Sequence, residues 1–266
     1  MKKVLTIAGS DSSGGAGVQA DLKTMLANGV YGMSAITALT AQNTQGVRMV
    51  QEATPEFLAA ELDAVFEDIR PDAVKVGMVA SPALIHVIAD KLKAYKAEHV
   101  VVDPVMVATS GAKLLVDEAI EVLVQELFPL AEVITPNIPE LSVLTGAEIA
   151  DEFAFEQAAK KLAAEAKVNV LAKGGHFAGD ASDLLVLAGG EEEKWYRGTR
   201  VANPNTHGTG CTLSAAIATY LGLGLGIRDA IVHAQKFLNH CLRHGYAPGL
   251  GAGPPNHASW IAKRVG

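Results

Sequence analysis

The sequence is poor in cysteine. Only Cys211 and Cys241 occur among 266 residues, too few for a disulfide framework and in keeping with a reducing cytosol. It has no basic excess. The formal charge is −7, which argues against a nucleic-acid or acidic-lipid surface. No apolar run reaches the roughly 20 residues of a membrane span. The opening, MKKVLTIAGSDSSGG, has an apolar stretch too short for a signal-peptide core. The eight histidines show no metal spacing such as HExxH. No linker, repeat or low-complexity segment breaks the chain. The expectation is one domain over residues 1–266, cytoplasmic, with no nucleic-acid or membrane partner.

Apolar residues, by contrast, make up 49% of the chain against 19% charged, enough for a sizeable core. Short apolar runs read as strands at Val4–Ala8, Tyr31–Ala41, Val47–Ala53, Ala73–Val76, His99–Val102, Val133–Ile134 and Val168–Ala172. Asp183–Leu187 and Lys194–Thr199 read as a hairpin, and Gln42–Gly46 as a polar turn. Helical patterns fall between the strands. They follow the Gly9–Gly17 loop, run from Pro55 to about Ile69 behind Thr54, and from Pro82 to about Ala97. Others cover about Asp117–Leu127, Pro139–Leu144, Phe153–Ala166, Gly210–Leu221 and Ile227–His244, before a Gly/Pro-rich tail at Pro248–Pro255. The alternation predicts an α/β fold with a mostly parallel sheet covered on both faces. Ligands then bind beyond the carboxyl ends of the strands.

The stretch NTHGTGCTLS, Asn205 to Ser214, is a glycine-punctuated turn leading into an apolar helix. Gly208 and Gly210 let the backbone approach a ligand closely, and the helix start offers unpaired N–H groups and partial positive charge. That combination is an anion site. Cys211 stands at its mouth, where the same positive end is expected to lower a thiol's pKa. The first loop fits two other phosphate motifs incompletely. Gly15 stands where a P-loop needs lysine, and Val30–Gln45 lacks the acid that a GxGxxA dinucleotide site needs for its ribose.

Seven segments in one order carry a more specific signal: GSDSSGGAGVQADLKT (9–24), TALTAQNTQGV (37–47), KVGM (75–78), DPVM (103–106), TPNIPE (135–140), KGGH (173–176) and NTHGTGCTLSAA (205–216). The chain resembles the hydroxymethylpyrimidine/phosphomethylpyrimidine kinase family of thiamine biosynthesis, part of the ribokinase-like superfamily. The resemblance implies a three-layer α/β/α ribokinase-like fold, a homodimer, and MgATP-dependent phosphorylation of 4-amino-5-hydroxymethyl-2-methylpyrimidine and then of its monophosphate. A pyridoxal kinase of the same superfamily, or a dual-specificity enzyme, is the nearest alternative. The AQNTQGV segment follows the pyrimidine kinase pattern. A non-catalytic sensor is the alternative of another class, against which Asp103, Glu140, Lys173 and Cys211 together argue.

Under that resemblance the site residues take roles. Gly208, Thr209 and Gly210 cradle the transferring phosphoryl group with backbone donors, and Cys211 takes or orients the substrate hydroxyl proton where sugar kinases carry aspartate. Lys173 neutralises ATP phosphates, with Thr206 and Lys236 as further nucleotide contacts. Asp103, Asn137 and Glu140 hold Mg²⁺ through water. Gln42 faces the aminopyrimidine edge, whose acceptor and donor a carboxamide satisfies together. Ala16, Met78 and Val105 form apolar walls, and Asp21 supports the first loop. His176 and His207 are expected to serve loop structure. The 42–46 turn and the 106–113 loop are candidate lids.

Overall fold

Short, continuously buried runs build the centre of the molecule. In the computed structural model, residues 1–106, 117–175 and 181–265 are described. The parallel strands are β1 (Lys3–Asp11), β2 (Tyr31–Asn43), β4 (Ala73–Val76), β5 (Val100–Val102), β6 (Val133–Ile134) and β7 (Asn169–Lys173). Every residue of β4, β5 and β6 is buried, as strands covered on both faces must be. Antiparallel strands finish the edges: β3 (Gly46–Glu52) on one side, β8 (Ala181–Val186) and β9 (Glu193–Gly198) on the other. The order is β3-β2-β1-β4-β5-β6-β7-β8-β9. The chain steps outward from β1 to β2, then returns to β4 on β1's other side. That reversal is the switch point at which open α/β sheets bind ligands.

Two apolar cores, one on each face, hold the helices. On one face lie α1 (Gly17–Ala27), α7 (Thr209–Gly222), α8 (Ile227–Arg243) and α9 (His257–Val265), meeting the sheet through Met25, Leu213, Ile217, Phe237 and Trp260. On the other lie α2 (Pro55–Asp68), α3 (Pro82–Ala94), α4 (Asp117–Val122), α5 (Ile138–Thr145) and α6 (Glu152–Ala166), with Leu58, Leu62, Ile85, Ile88 and Phe155 buried. α7 is buried all round from Thr212 to Gly222, which explains its apolar composition without a polar stripe. Thr54 caps α2, accepting from the Phe57 N–H at 3.2 Å with Pro55 next in line, as its sequence indicates.

Three local expectations change. Gly9, Ser10 and Asp11 belong to β1 rather than to a loop, because β1 continues to pair with β2 beyond a bulge, as far as Asp11 opposite Thr40. Gln42 and Asn43 likewise belong to β2, and the turn shrinks to Thr44-Gln45, closed by the Asn43 side chain accepting from the Gln45 N–H at 2.9 Å. The last helix, α9, follows the Gly/Pro-rich tail and was not expected. Tertiary packing holds it: Trp260 meets Phe237 edge to face at 5.4 Å.

Candidate active site

The start of α7 lies on a charged pair contributed by two strand ends. Gly208 precedes the helix with φ of +79°, and a Cβ there would strike the Gly15 carbonyl, so only glycine fits. A Cβ on Gly210 would stand 3.4 Å from Lys173 Nζ and 3.5 Å from Asp103 Oδ2. Lys173, at the end of β7, donates to Asp103 Oδ1 at 2.8 Å, and Thr135 Oγ1 donates to the same oxygen at 2.9 Å. Burial alone would lower the Lys173 pKa, but Asp103, Glu140 and Cys211 around it hold it above its ordinary value. Burial works against ionised Asp103 too, and Lys173 and Lys75 nonetheless keep it below the usual carboxylate range. The result is a half-buried cation, Lys173, fixed beneath a helix N-terminus where backbone N–H groups have no intrahelical acceptor.

Cys211 sits in the first turn of α7 and is part-buried. Its thiol is not lowered, as expected from the helix start, but pushed up to about 11. Loss of hydration outweighs the stabilising Lys75 charge and the hydrogen bond from the Gly17 N–H. Gly17 opens α1 with φ of +56°, against the Gly9 carbonyl, where a Cβ has no room. The sulfur is therefore met by the starts of two helices. One turn along the same face of α1, Asp21 is completely buried. Its Oδ2 accepts from Lys75 Nζ at 2.8 Å and from Thr6 Oγ1 at 2.6 Å. Asp21 lies below the site with its side chain wholly shielded from solvent. Its work is to pair Lys75, whose pKa burial would lower and which Asp21, Cys211 and Asp103 together hold above the ordinary lysine value.

The part-exposed Ala16, Met78 and Val105 follow the ends of β1, β4 and β5, and the part-exposed Gln42 lies in the last residues of β2. Ala16 precedes α1 and donates its N–H to Asp11 Oδ2 at 2.8 Å. The Met78 sulfur and methyl lie over Gly9, 3.4 and 3.3 Å from the place of a Cβ there, while Thr37 Oγ1 holds the Met78 carbonyl at 2.6 Å. Gln42 sits at the bulge between β2 and β3, 3.5 Å from the His207 ring nitrogen.

Asn137 and Glu140 form a capping box at the start of α5. Asn137 Oδ1 accepts from the Glu140 N–H at 2.9 Å, and Glu140 Oε2 from the Asn137 N–H at 2.8 Å. Burial raises the Glu140 carboxyl to about 7, with Lys173 opposing and Asp103 adding to the rise. Among the described residues no three His, Cys, Asp or Glu side chains are placed to hold a metal ion directly. Thr206 is exposed one turn before α7. Lys236 is not brought to this cluster: it lines a separate surface depression with Tyr220, Leu223, His233 and Trp260. His176 and the 106–113 loop beyond Met106 lie outside the described residues.

Three side chains that the sequence reading left without a chemical role belong to this architecture. Asp11 accepts from the N–H groups of Ser13, Gly15 and Ala16 and from His207, so it folds the first loop. His207 ties that loop to the Gly208 turn, and Lys75 supplies the buried charge under Cys211. A lysine inside the otherwise apolar AVKV strand was the available signal for Lys75. An acid directly before a glycine-rich loop was the signal for Asp11.

A sequence profile described as phosphomethylpyrimidine kinase matches residues 11–256. A thiamine biosynthesis bifunctional protein of Geobacter sulfurreducens is 51% identical over 96% of this chain, which spans about half, 52%, of that relative's length. The hydroxymethylpyrimidine/phosphomethylpyrimidine kinase of Haemophilus influenzae is 44% identical over 100% of this chain and 99% of its own. Among solved structures, an ADP complex of the Bacillus subtilis pyridoxal kinase superposes with a TM-score of 0.91 at 35% identity, covering 100% of both chains. The mixed, mostly parallel sheet with helices on both faces is thus the ribokinase-like fold.

Proposed function

The chain belongs to the phosphomethylpyrimidine kinase family, and on that premise we infer that it phosphorylates hydroxymethylpyrimidine to its monophosphate and then the monophosphate to the diphosphate, in thiamine biosynthesis, with ATP as donor. The observation that carries this reading is the meeting of the Gly208–Cys211 helix start with Lys173 and Asp103, with Gln42 beside His207 at the edge of the same turn. Phosphoryl transfer needs mainly positioning and charge neutralisation. Backbone donors of Gly208 and Gly210 hold the transferring group, while the Thr209 N–H closes the turn on the Thr206 carbonyl at 3.2 Å; Lys173 offsets the group's charge, and Asp103 fixes Lys173. Cys211 orients the accepting hydroxyl. With its thiol pushed up to about 11, little thiolate is present at neutral pH, so its base contribution is small, which a loose transition state tolerates. Thr206, exposed one turn before α7, serves in this reading as a nucleotide contact.

Glu140 fits a water-mediated Mg²⁺ site. A buried carboxyl held near 7 beside one lysine is stabilised in its charged form by a further cation, and Mg²⁺ keeps its waters readily. When bound, Mg²⁺ supplies charge neutralisation to the phosphates. Asn137 positions Glu140 through the capping box, and Asp103 contributes through Lys173.

The residues form one ribokinase-like domain, a reading supported by a single continuous sheet. A homodimer is supported by the outer hairpin. β2 carries Met33, Ala35 and Thr37 into the core; past the bulge Ala38 and Thr40 take over the buried side, and Leu39, 55% exposed, emerges on the other face with Met49, 69% exposed. Two free cysteines suit a cytoplasmic enzyme, and no helix among the described residues is long and apolar enough to cross a membrane. ³¹P NMR of the reaction with MgATP and hydroxymethylpyrimidine tests the function. A monophosphate resonance that gives way to a diphosphate is expected, and failure to form either product overturns it.

A further inference from the structure

The Gly/Pro-rich tail folds as an Ω-loop. Residues 245–254 follow α8, run outward and return beside their start. A Cβ on Gly253 would strike the Tyr246 carbonyl, and one on Gly245 would lie 3.3 Å from the Pro254 carbonyl oxygen. Loops of this kind are compact and frequently functional. The neck of the loop sits on the turn that leads to Gly208. Asn203 Nδ2 donates to the Leu242 carbonyl at 2.8 Å and to the Gly245 carbonyl at 3.3 Å. Asn205 Oδ1 accepts from the Gly253 N–H at 2.9 Å, and the Gly253 carbonyl accepts from the His207 N–H at 3.1 Å. Past the neck, Pro254 and Pro255 are buried, each with φ fixed by its ring. The Asn256 N–H donates to the Cys241 carbonyl at 2.9 Å, and His257 Nε2 lies 2.9 Å from Thr212 Oγ1 in the first turn of α7. The neck is thus joined to the start of α7.

The far end of the loop is clasped to the other side of the site. The Gly251 N–H donates to Thr44 Oγ1 at 3.1 Å, and a Cβ on Gly251 would fall on the Thr44 carbonyl. Thr44 stands two residues after Gln42, in the turn between β2 and β3. Between this clasp and the neck lies one residue, Ala252. Two residues of chain reach about 7 Å at most, so the turn cannot move off without breaking one of the two grips. The hairpin end is loosely held otherwise. β3 is exposed from Arg48 to Glu52, and the hydrogen bonds between Ser12 Oγ and the Gln42 backbone lie open to water, where their net worth is small.

We propose that this loop latches the hairpin bearing Gln42 to the phosphate turn, with Thr44 and Gly251 as positioning residues, and so makes pyrimidine and nucleotide binding cooperative. The inference rests on the readings of Gln42 as the pyrimidine contact and of the Gly208 turn as the phosphate cradle. A phosphate held by the turn orders Asn205 and His207. These hold Gly253, and Gly253 keeps Gly251 on Thr44. The nucleotide thereby supplies part of the ordering that the pyrimidine otherwise requires, which is positive coupling without a new contact. By linkage the pyrimidine tightens the nucleotide by the same factor.

The test is calorimetric affinity for hydroxymethylpyrimidine with and without saturating MgADP. The parent is expected to bind roughly tenfold more tightly with the nucleotide. Thr44→Ala removes the acceptor at the hairpin end, and Gly251→Ala removes the room at the loop end. Each variant is expected to bind MgADP as the parent does when no pyrimidine is present, and to bind the pyrimidine equally with and without it. The double variant should add nothing further. Hydrogen exchange gives a readout independent of the pyrimidine. MgADP alone should slow exchange over residues 40–46 in the parent and leave it unchanged in both variants. A parent without coupling, coupling that survives in the variants, or equal slowing of exchange in all three proteins overturns the latch. If Gln42→Ala leaves pyrimidine affinity intact, the reading of Gln42 falls by itself, and the exchange experiment still decides the latch.

Discussion

Lys75 and Asp21 offer a perturbation whose size follows from the structure. Both side chains are fully shielded from water, 2.8 Å apart. Replacing Lys75 by Met leaves the Asp21 carboxylate buried with only Thr6 as a donor, and removal of one partner of such a pair costs about 3–5 kcal/mol. Replacing both, as Lys75→Met with Asp21→Leu, removes the uncompensated charge along with its partner. The double variant should then lie within about 1 kcal/mol of the parent, since apolar substitutes for a buried pair are often neutral or stabilising. Urea unfolding followed by tryptophan fluorescence measures all four corners of the cycle. A coupling energy of at least about 2 kcal/mol is expected. Lys75 is held above its ordinary 10.5, so its contribution is fully present at neutral pH and is lost only as the pH rises beyond that value. Independent, additive effects of the two substitutions would refute the reasoning. The folded double variant also reports on chemistry. Lys75 is the cation acting most strongly on the Cys211 sulfur, so alkylation of Cys211 should slow in the double variant at a fixed mildly alkaline pH.

Cys211→Ala should lower turnover by roughly 10²-fold, the low end for a positioned base, with nucleotide affinity intact. Because the thiol is pushed up to about 11, turnover of the parent should climb with pH through the mildly alkaline range. That slope should vanish in Cys211→Ala. Glu140 rises from 4.5 to about 7 on folding, so the folded chain holds the proton more tightly. Stability should therefore fall as pH rises through that window, by roughly 3 kcal/mol, and Glu140→Gln should flatten the fall in a pH series of unfolding curves. Mg²⁺ dependence of turnover should sharpen above pH 7 for the same reason, since proton and cation compete. Light scattering should show a dimer, and Leu39→Glu should dissociate it. A parent protein that is already monomeric would discard the hairpin interface.

The mostly parallel sheet and its two helix layers follow from patterns visible in the chain, whereas the strand order does not. Val100–Val102 and Ala73–Val76 read as buried strands because parallel strands covered twice are apolar throughout. The helix start at Gly208 was equally readable from its glycines. The missing knowledge concerned pairings across long stretches of chain. Nothing in AVKV tells which acid meets Lys75, and Asp21 stands 54 residues away. His207 and Asp11 are 196 residues apart, joined only once β1 and α7 are folded together. Cys211 shows the same limit in another form. The sequence displays the helix terminus that favours a thiolate, whereas the burial that opposes it belongs to the packing of α1 against α7. Lys236 carried a charge on an amphipathic helix, and only the fold reveals that it lines a separate depression with Tyr220 and Trp260.

The central claim is a two-step pyrimidine kinase. ADP release by the purified chain with MgATP, offered hydroxymethylpyrimidine, its monophosphate and pyridoxal in parallel, tests it most directly. Turnover of both pyrimidines, well above any turnover of pyridoxal, is the predicted result. Turnover of pyridoxal alone, or binding of the pyrimidines without turnover, would contradict the account.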